Sequence, residues 1–189
     1  MLSHRRGPFG DATLQEARML LRELETTLLN GLSPSAREGT LVCLMADHGH
    51  TTYDKAQRAI LLSQHPELQE MLLMGPSGGV RFPYLFAKQG KVQAVIDYIN
   101  EGALSDLATA ITSDQAIELG LFGPPPFAPK ARDRMGDVVL LMHDEAIFLE
   151  PMEEEIVMRE IVAGHGGLSS AEMHAPWICL LYTSPSPRD

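Results

Sequence analysis

An apolar run that ends abruptly in acid, imidazole and glycine is the feature that most constrains the fold of this chain. The run from Thr40 to Ala46 is followed directly by Asp47, His48 and Gly49. Apolar runs of this length are typical of a strand buried on both faces of an α/β sheet. Ligands of open α/β sheets bind outside the carboxyl ends of the strands. A carboxylate beside an imidazole at such a strand end suits a divalent metal ion such as zinc.

A simpler interpretation of the same segment is an ordinary loop. Asp47 would then cap a following helix and His48 would be solvated, because a short motif is only a hypothesis until its structural context is known. Cys43, within the apolar run, is expected to be a small buried core residue. Other histidines in the chain are needed to choose between a site and a loop.

Length, charge and cysteine content exclude several classes of protein. The chain has 189 residues, enough for one domain with a sizeable core, and its two cysteines support no disulfide framework. A net charge of −10 argues against polymeric nucleic acid or an anionic membrane as partner, since these require clustered Lys and Arg. A small phosphorylated substrate stays compatible, because bound metal ions can dominate the local charge. No apolar run reaches the roughly 18–20 residues of a membrane span.

The pattern along the chain predicts mixed helices and strands. We expect a helix over residues 13–30 with a capping box at Thr13 and Glu16, and helices over residues 54–62, 66–74 and 91–99. Residues 80–86 are predicted to form an edge strand because of Pro83. Residues 136–149 are predicted to form a hairpin, and residues 151–160 an acidic, solvated connection.

The last eleven residues differ in character from the rest. The segment from Cys179 to Asp189 is interpreted as a non-native tail, the translation of a sequencing-library adapter. The native part, residues 1–178, would then belong to one catalytic domain. A genuine disordered Ser-Pro tail is the alternative.

Two further histidines have surroundings that suit a metal site. His165 lies at the centre of the glycine-rich segment Gly164–Ser169, and His4 lies in a predicted loop before the first helix. With Asp47 and His48 they form a set drawn from three loops, as in two-metal hydrolases. His50 could contact a metal, lie behind such a contact, or do neither. The remaining histidines, which are His65, His143 and His174, are interpreted as structural or exposed.

These segments resemble the alkaline phosphatase superfamily, and most closely its type I phosphodiesterase/nucleotide pyrophosphatase branch. The early His4, the Asp47-His48-Gly49 motif and the late glycine-rich segment around His165 occur in the order of that family, across residues 2–178. The resemblance implies the C-terminal part of a three-layer α/β sandwich with a central sheet, its N-terminal strands missing. It also implies two divalent metal ions, usually zinc. Asp47 and His48 would bind the metal that activates the nucleophile, and His4 and His165 the other.

The resemblance further implies a threonine or serine nucleophile, which in this family lies upstream of the position of Met1. Two metal-binding aspartates of the family would also lie there. The expected protein hydrolyses phosphodiesters or nucleotide pyrophosphates, whereas these 189 residues alone are expected to be inactive, to bind metal weakly and to expose an apolar sheet edge. The alternatives are a phosphomonoesterase, a phosphoglycerate mutase or a sulfatase of the same superfamily, or a non-catalytic binding scaffold with this fold.

Overall fold

A computed structural model describes residues 2–181, in which short helices and strands alternate. The helices are α1 (Leu2–Arg6), α2 (Asp11–Glu23), α3 (Pro34–Arg37), α4 (Pro66–Met71), α5 (Val92–Asn100), α6 (Ser113–Glu118), α7 (Ala131–Arg134), α8 (Pro151–Glu160) and α9 (Ser170–Met173). A π-helical segment, Leu24–Leu29, continues α2. The strands are β1 (Leu41–Met45), β2 (Thr51–Thr52), β3 (Ala59–Leu61), β4 (Ser77–Gly79), β5 (Phe82–Leu85), β6 (Ala108–Thr112), β7 (Val138–Met142), β8 (Ile147–Leu149), β9 (Ala163–Gly164) and β10 (Trp177–Leu181).

The strands of the described residues are arranged in four small sheets. Strands β1 and β10 pair antiparallel, as do β2 and β9, whereas β3 and β8 pair parallel. The largest sheet is antiparallel, with the order β4-β5-β7-β6. The predicted α/β class is confirmed, because helices and strands alternate and pack into one core. Within residues 2–181, no helix has the length and apolar character needed to cross a membrane.

The core is built around β7, an interior strand of the largest sheet. Its residues Val138 and Leu140 are fully buried, and helix α5 packs against the same sheet through Val95 and Ile99. The predicted helix over residues 91–99 is therefore confirmed. Its apolar residues recur at helical spacing, so that they face the sheet together.

Strand β1 is confirmed as a strand, but the prediction that it is buried on both faces is wrong. Leu41 and Met45 are each 55% exposed, and Cys43 is exposed rather than a buried core residue. Within the described part of the chain, β1 pairs only with β10, and residues on both of its faces, such as Cys43 and Leu44, are exposed. Cys179 to Leu181, the first residues of the segment interpreted as a tail, belong to β10; residues 182–189 lie outside the described residues.

Two predicted helical features are wrong. Helix α2 begins at Asp11 after the N-cap Gly10, so Thr13 lies inside it and donates to the carbonyl of Gly7 over 2.8 Å instead of forming a capping box. Residues 54–62 do not form a helix, because Ala59–Leu61 pairs with β8 and buries Ile60. A tertiary strand partner overrides the local helical pattern there.

Three predicted strand and loop assignments are also wrong. Strands β7 and β8 form no hairpin with each other, because β7 pairs with β5 and β6 whereas β8 pairs with β3. Strand β5 is not an edge strand: it lies between β4 and β7, and Pro83 is opposite Gly78. The acidic segment expected to be a connection forms helix α8, which begins with Pro151 in its first turn.

Candidate functional site

Four imidazole rings meet at one place on the molecule. His48 and His165 stack with ring centroids 3.6 Å apart and an interplanar angle of 19°. His4 lies 4.6 Å from His50 and 5.5 Å from His165, centroid to centroid. His50 lies 5.8 Å from His165 and 6.3 Å from His48. Three of the four residues singled out from the sequence, His4, His48 and His165, are therefore brought together from three distant segments.

The pairing of β2 with β9 explains why two of these segments converge. Thr51 is opposite Gly164 in this antiparallel pair. The next residue outward on each strand is His50 on one side and His165 on the other, so both leave the sheet at the same end. A Cβ atom at Gly164 would overlap the hydroxyl of Tyr53, so any larger residue here would have to displace the Tyr53 ring.

His4 is held against the same strand by two hydrogen bonds. Its Nδ1 lies 2.9 Å from the carbonyl oxygen of Ala163, and its own carbonyl accepts from the N–H of Val162 over 2.7 Å. Because a carbonyl only accepts, Nδ1 must carry a proton, and in the neutral ring the lone pair then lies on Nε2. His4 therefore has the tautomer in which Nε2 can bind a metal ion.

The backbone of the Asp47–His50 segment is fixed to helix α9. The N–H of Gly49 donates to the carbonyl of Glu172, and the N–H of His50 donates to that of Ala171, both over 2.8 Å. A Cβ atom at Gly49 would overlap the carbonyl oxygen of Ala171, so only glycine allows this close approach. The glycine of the Asp-His-Gly motif thus sets the position of the histidines on either side.

The loop that carries His165 is fixed by a buried ion pair. Glu172 accepts hydrogen bonds from the N–H of Gly167 over 2.9 Å and from the hydroxyl of Ser169 over 2.6 Å. The guanidinium of Arg81 donates to both carboxylate oxygens of Glu172, over 3.0 and 2.7 Å, and also to the carbonyl of Ala146. Sequence reasoning missed both charged residues. The spacing Ser169-x-x-Glu172, typical of a capping box, is the one signal that could have indicated Glu172.

Burial and mutual proximity lower the pKa of two of the imidazoles. Desolvation lowers the pKa of His50, and the neighbouring His4 acts in the same direction, against a hydrogen bond to the backbone of Ala163. Desolvation also lowers the pKa of His165, followed by the effects of His48 and His4. Neutral imidazole is the form that binds metal ions.

No family model matches the chain, and no curated protein matches its sequence. The solved structures that it resembles include murine ectonucleotide pyrophosphatase/phosphodiesterase 5, with a TM-score of 0.67 and 19% identity over 94% of this chain. The inactive murine variant in complex with AMP matches with a TM-score of 0.64 and 18% identity, and the human protein with 0.69 and 15%, each again over 94% of this chain.

The chain has an ectonucleotide pyrophosphatase/phosphodiesterase-like fold. It spans 43% of the length of each of these three structures. At identities below 20% the similarity establishes the fold alone.

The donor chemistry of the cluster fits zinc, although the side chains are not arranged around an ion. Within residues 2–181, no group of three or more His, Cys, Asp or Glu side chains forms a preassembled metal site. The stacking of His48 on His165 gives the reason, because lone pairs lie in the ring planes and two nearly parallel planes do not converge on one point. Asp47 is 3.5 Å from Nε2 of His48, and its side chain is 88% exposed.

The structure adds an observation about His50, whose role the sequence left open. Within the described residues, its Nε2 is buried without a hydrogen-bond partner. An unpaired buried polar atom costs about 1–3 kcal/mol, so such an atom is expected to have a partner in the functional state. Imidazole and carboxylate donors around one position are ordinary zinc ligands. The donor types therefore suit a divalent metal, whereas the stacked orientation of His48 and His165 does not direct both rings at one ion.

Proposed function

We propose that this chain provides part of the active site of a metal-dependent phosphodiesterase or nucleotide pyrophosphatase. The observation that carries the proposal is the convergence of His4, His48 and His165 from three distant segments. The fold supports it, because the solved structures it resembles are nucleotide pyrophosphatase/phosphodiesterases, one of them in complex with AMP. The substrate class we propose is accordingly a nucleotide or another small phosphate ester.

The residues proposed to hold two divalent ions, with zinc as the expected metal, are His4, Asp47, His48 and His165. When bound, such ions neutralise phosphate charge and stabilise the attacking and leaving oxygens of an in-line displacement. The chain itself contributes the Nδ1–H of His4 held by Ala163 and the lowered pKa of His165, which favours its neutral form. Gly166 and Gly167 carry no side chains, so a phosphate group can approach His165 closely.

The nucleophile in this proposal is a threonine or serine in polypeptide outside these 189 residues. The chain spans 43% of the structures it resembles, so a second part of the active site is expected to come from the portion those structures add. Attack by that hydroxyl on phosphorus would break the bond to the alcohol or phosphate leaving group and leave the rest of the phosphate ester on the residue. Water would then hydrolyse this new ester and restore the hydroxyl. Metal affinity of the 189 residues alone is expected to be weak, because two carboxylate ligands would be supplied from that portion too.

A non-catalytic binding scaffold with the same fold is the second candidate. The specific observation in its favour is the stacked His48–His165 pair, which aims no two nitrogens at one point. A scaffold of this kind would retain the fold without binding zinc. Metal binding by His4, Asp47, His48 and His165 therefore separates the two candidates.

Cobalt and zinc titration of the chain tests the metal site directly. We expect His48→Ala and His165→Ala each to weaken metal binding by at least about tenfold. Replacing a residue that only hydrogen-bonds to a metal ligand already lowers metal affinity by about 10- to 100-fold. The matched control is His65→Ala, because His65 bonds Tyr98 and lies outside the cluster. The second measurement is hydrolysis of bis-p-nitrophenyl phosphate by the gene product that contains this chain. Full hydrolysis and full metal content in its His165→Ala variant would overturn the site assignment.

A further inference from the structure

We propose that Tyr53 is the positioning residue that sets the spacing of His4 and His165. It does so by holding strand β9, which is bonded to the first of these histidines and leads directly into the second. Tyr53 directly follows β2 and acts on β9 through one backbone hydrogen bond and through its aromatic ring. The inference rests on the proposed function, because it concerns the geometry of that same histidine site.

The backbone of Tyr53 extends the pairing of β2 with β9 by one residue. Its N–H donates to the carbonyl of Val162 over 2.9 Å, and the N–H of Val162 donates to the carbonyl of His4 over 2.7 Å. The Nδ1 of His4 lies 2.9 Å from the carbonyl oxygen of the next residue along the strand, Ala163. Val162 and Ala163 thus connect Tyr53 to His4.

The ring of Tyr53 packs directly against the backbone of Gly164. Continuing the register that pairs Thr52 with Ala163 places Tyr53 opposite Val162, with Gly164 diagonal to it on the same face. A Cβ atom at Gly164 would overlap the hydroxyl of Tyr53 and would lie only 2.7 Å from Cζ of its ring. The ring therefore occupies the space that a side chain at Gly164 would need.

A shift of Gly164 would move both histidines. His165 is the next residue, and alternation along a strand directs it to the face opposite the Tyr53 ring. His4 is bonded to Ala163, the residue on the other side of Gly164. The two imidazoles are 5.5 Å apart, centroid to centroid. Because the groups of a binding site have to be held to within about 0.5 Å, a strand displaced by the width of a methyl group would spoil their spacing.

Tyr53 supports the strand as an uncharged group. The residue is half-buried, and burial raises the pKa of its hydroxyl to about 12, against the opposing effect of the Arg81 charge. The phenol therefore keeps its proton throughout the pH range in which the imidazoles change charge. Its role is to fill space and fix the strand, so its replacement would affect metal binding through the histidines.

Cobalt titration of four variants tests the inference. Gly164→Ala forces the strand and the ring apart, whereas Tyr53→Leu leaves the space beside the strand partly empty. We expect each to weaken cobalt binding by about tenfold or more, as replacement of residues behind metal ligands does. The double variant Gly164→Ala/Tyr53→Leu should recover most of this affinity, because the added methyl group takes up space that the ring has left. Tyr53→Phe, which keeps the ring, should bind cobalt nearly as tightly as the unchanged chain.

A measurement without metal distinguishes positioning from a purely structural role. Stacked aromatic rings shift each other's ring-proton NMR signals, and the rings of His48 and His165 are stacked at 3.6 Å. We expect Gly164→Ala to change the ring-proton shifts of His165 in the metal-free chain, and the double variant to restore them. The matched control is Tyr98→Leu, because Tyr98 bonds His65 outside the cluster. This control should lower the melting temperature and leave cobalt affinity and the His165 signals unchanged.

The outcomes separate this inference from the proposed function. If cobalt binds but the losses in Gly164→Ala and Tyr53→Leu add up in the double variant, Tyr53 does not position the histidines and the hydrolase proposal stands. Unchanged His165 signals in Gly164→Ala would overturn the positioning role in the same way. If the unchanged chain binds no cobalt while the double variant restores the His165 signals, the proposed function fails and the positioning role of Tyr53 remains.

A second double variant keeps the test decisive if the leucine substitution prevents folding, as judged by circular dichroism. Gly164→Ala/Tyr53→Phe makes the same comparison, because the hydroxyl of Tyr53 is the atom that the added methyl group would meet first. We expect it to bind cobalt more tightly than Gly164→Ala alone. Equal affinities of these two variants would overturn the inference.

Discussion

Arg81 and Glu172 form a fully buried ion pair, with Nη2 to Oε2 at 2.7 Å and Nε to Oε1 at 3.0 Å. The pair is the link between the core and the histidine cluster. Glu172 also holds Gly167 and Ser169 of the loop around His165. Its carbonyl accepts from Gly49, so the same residue fixes the segment that carries His48 and His50.

Removal of the cation from this pair should strongly destabilise the chain. We expect Arg81→Met to lower the free energy of unfolding by about 3–5 kcal/mol, because a buried carboxylate would be left uncompensated. The measurement is denaturant-induced unfolding followed by circular dichroism. The control is Arg132→Met, whose ion pair with Asp114 is exposed and is expected to contribute less than about 1 kcal/mol.

The double variant Arg81→Met/Glu172→Leu separates stability from positioning. Replacing both partners of a buried pair by apolar residues often restores stability. The loop around His165 would still lose the carboxylate that holds Gly167 and Ser169. We therefore expect stability to recover while zinc affinity stays reduced. Recovery of both properties would show that the ion pair does not position the histidines.

Acid should weaken this part of the fold through Glu172. Burial by itself raises the pKa of Glu172, but hydrogen bonds from Arg81, Ser169 and Gly167, and the charge of Arg81, outweigh it, so the pKa lies below its usual value. The stabilisation from Glu172 is therefore present above the unfolded pKa of about 4.3 and is lost as the pH falls through the folded pKa.

The measurable consequence is a pH slope that Glu172→Gln should flatten. We expect the free energy of unfolding of the unchanged chain to fall from about pH 6 to about pH 3 more steeply than that of the variant. Chemical denaturation at several pH values provides the comparison. Asp114→Asn is the control, since its exposed pair should leave the slope nearly unchanged. Equal slopes for Glu172→Gln and the unchanged chain would contradict the prediction.

His50 should contribute to metal binding although sequence reasoning left its role open. Its buried Nε2 has no hydrogen-bond partner within residues 2–181, and its pKa is lowered by burial and by His4. We expect His50→Ala to weaken cobalt binding and to alter the visible spectrum of the cobalt-loaded chain. His143→Ala is the control, because His143 bonds the hydroxyl of Thr109. An unchanged spectrum and affinity in His50→Ala would assign His50 a structural role.

Local sequence patterns predicted the elements that carry their own signal. The apolar run before Asp47 predicted β1, and helical spacing predicted α5 with Val95 and Ile99 inward. Motif order across the chain predicted that His4, His48 and His165 would meet, and the rings of the latter two are in contact. Residue type and spacing specify the strand and the helix, whereas the meeting of the histidines was implied by the resemblance to a known family.

Strand partners and buried charges were not accessible in this way. Periodicity shows that residues 138–142 and 147–149 form strands, but it does not show that they pair with different neighbours. Arg81 is a charged residue next to an apolar strand, a pattern usually found at the surface. Its burial becomes intelligible only when Glu172, 91 residues later, is placed beside it.

The exposed faces of β1 and β10 should make the chain self-associate. Leu44 and Ile178 are opposite each other in this strand pair and are 39% and 49% exposed. Contiguous apolar surface and an open strand edge are typical sites of association. We therefore expect sedimentation velocity to show oligomers that increase with protein concentration. The double variant Leu44→Glu/Ile178→Glu should shift the chain toward monomer, because two like charges would oppose each other across the strands. Leu119→Glu, at a 67% exposed position after α6, should leave association unchanged. A monomeric unchanged chain at all concentrations would mean that these strands do not mediate contacts in solution.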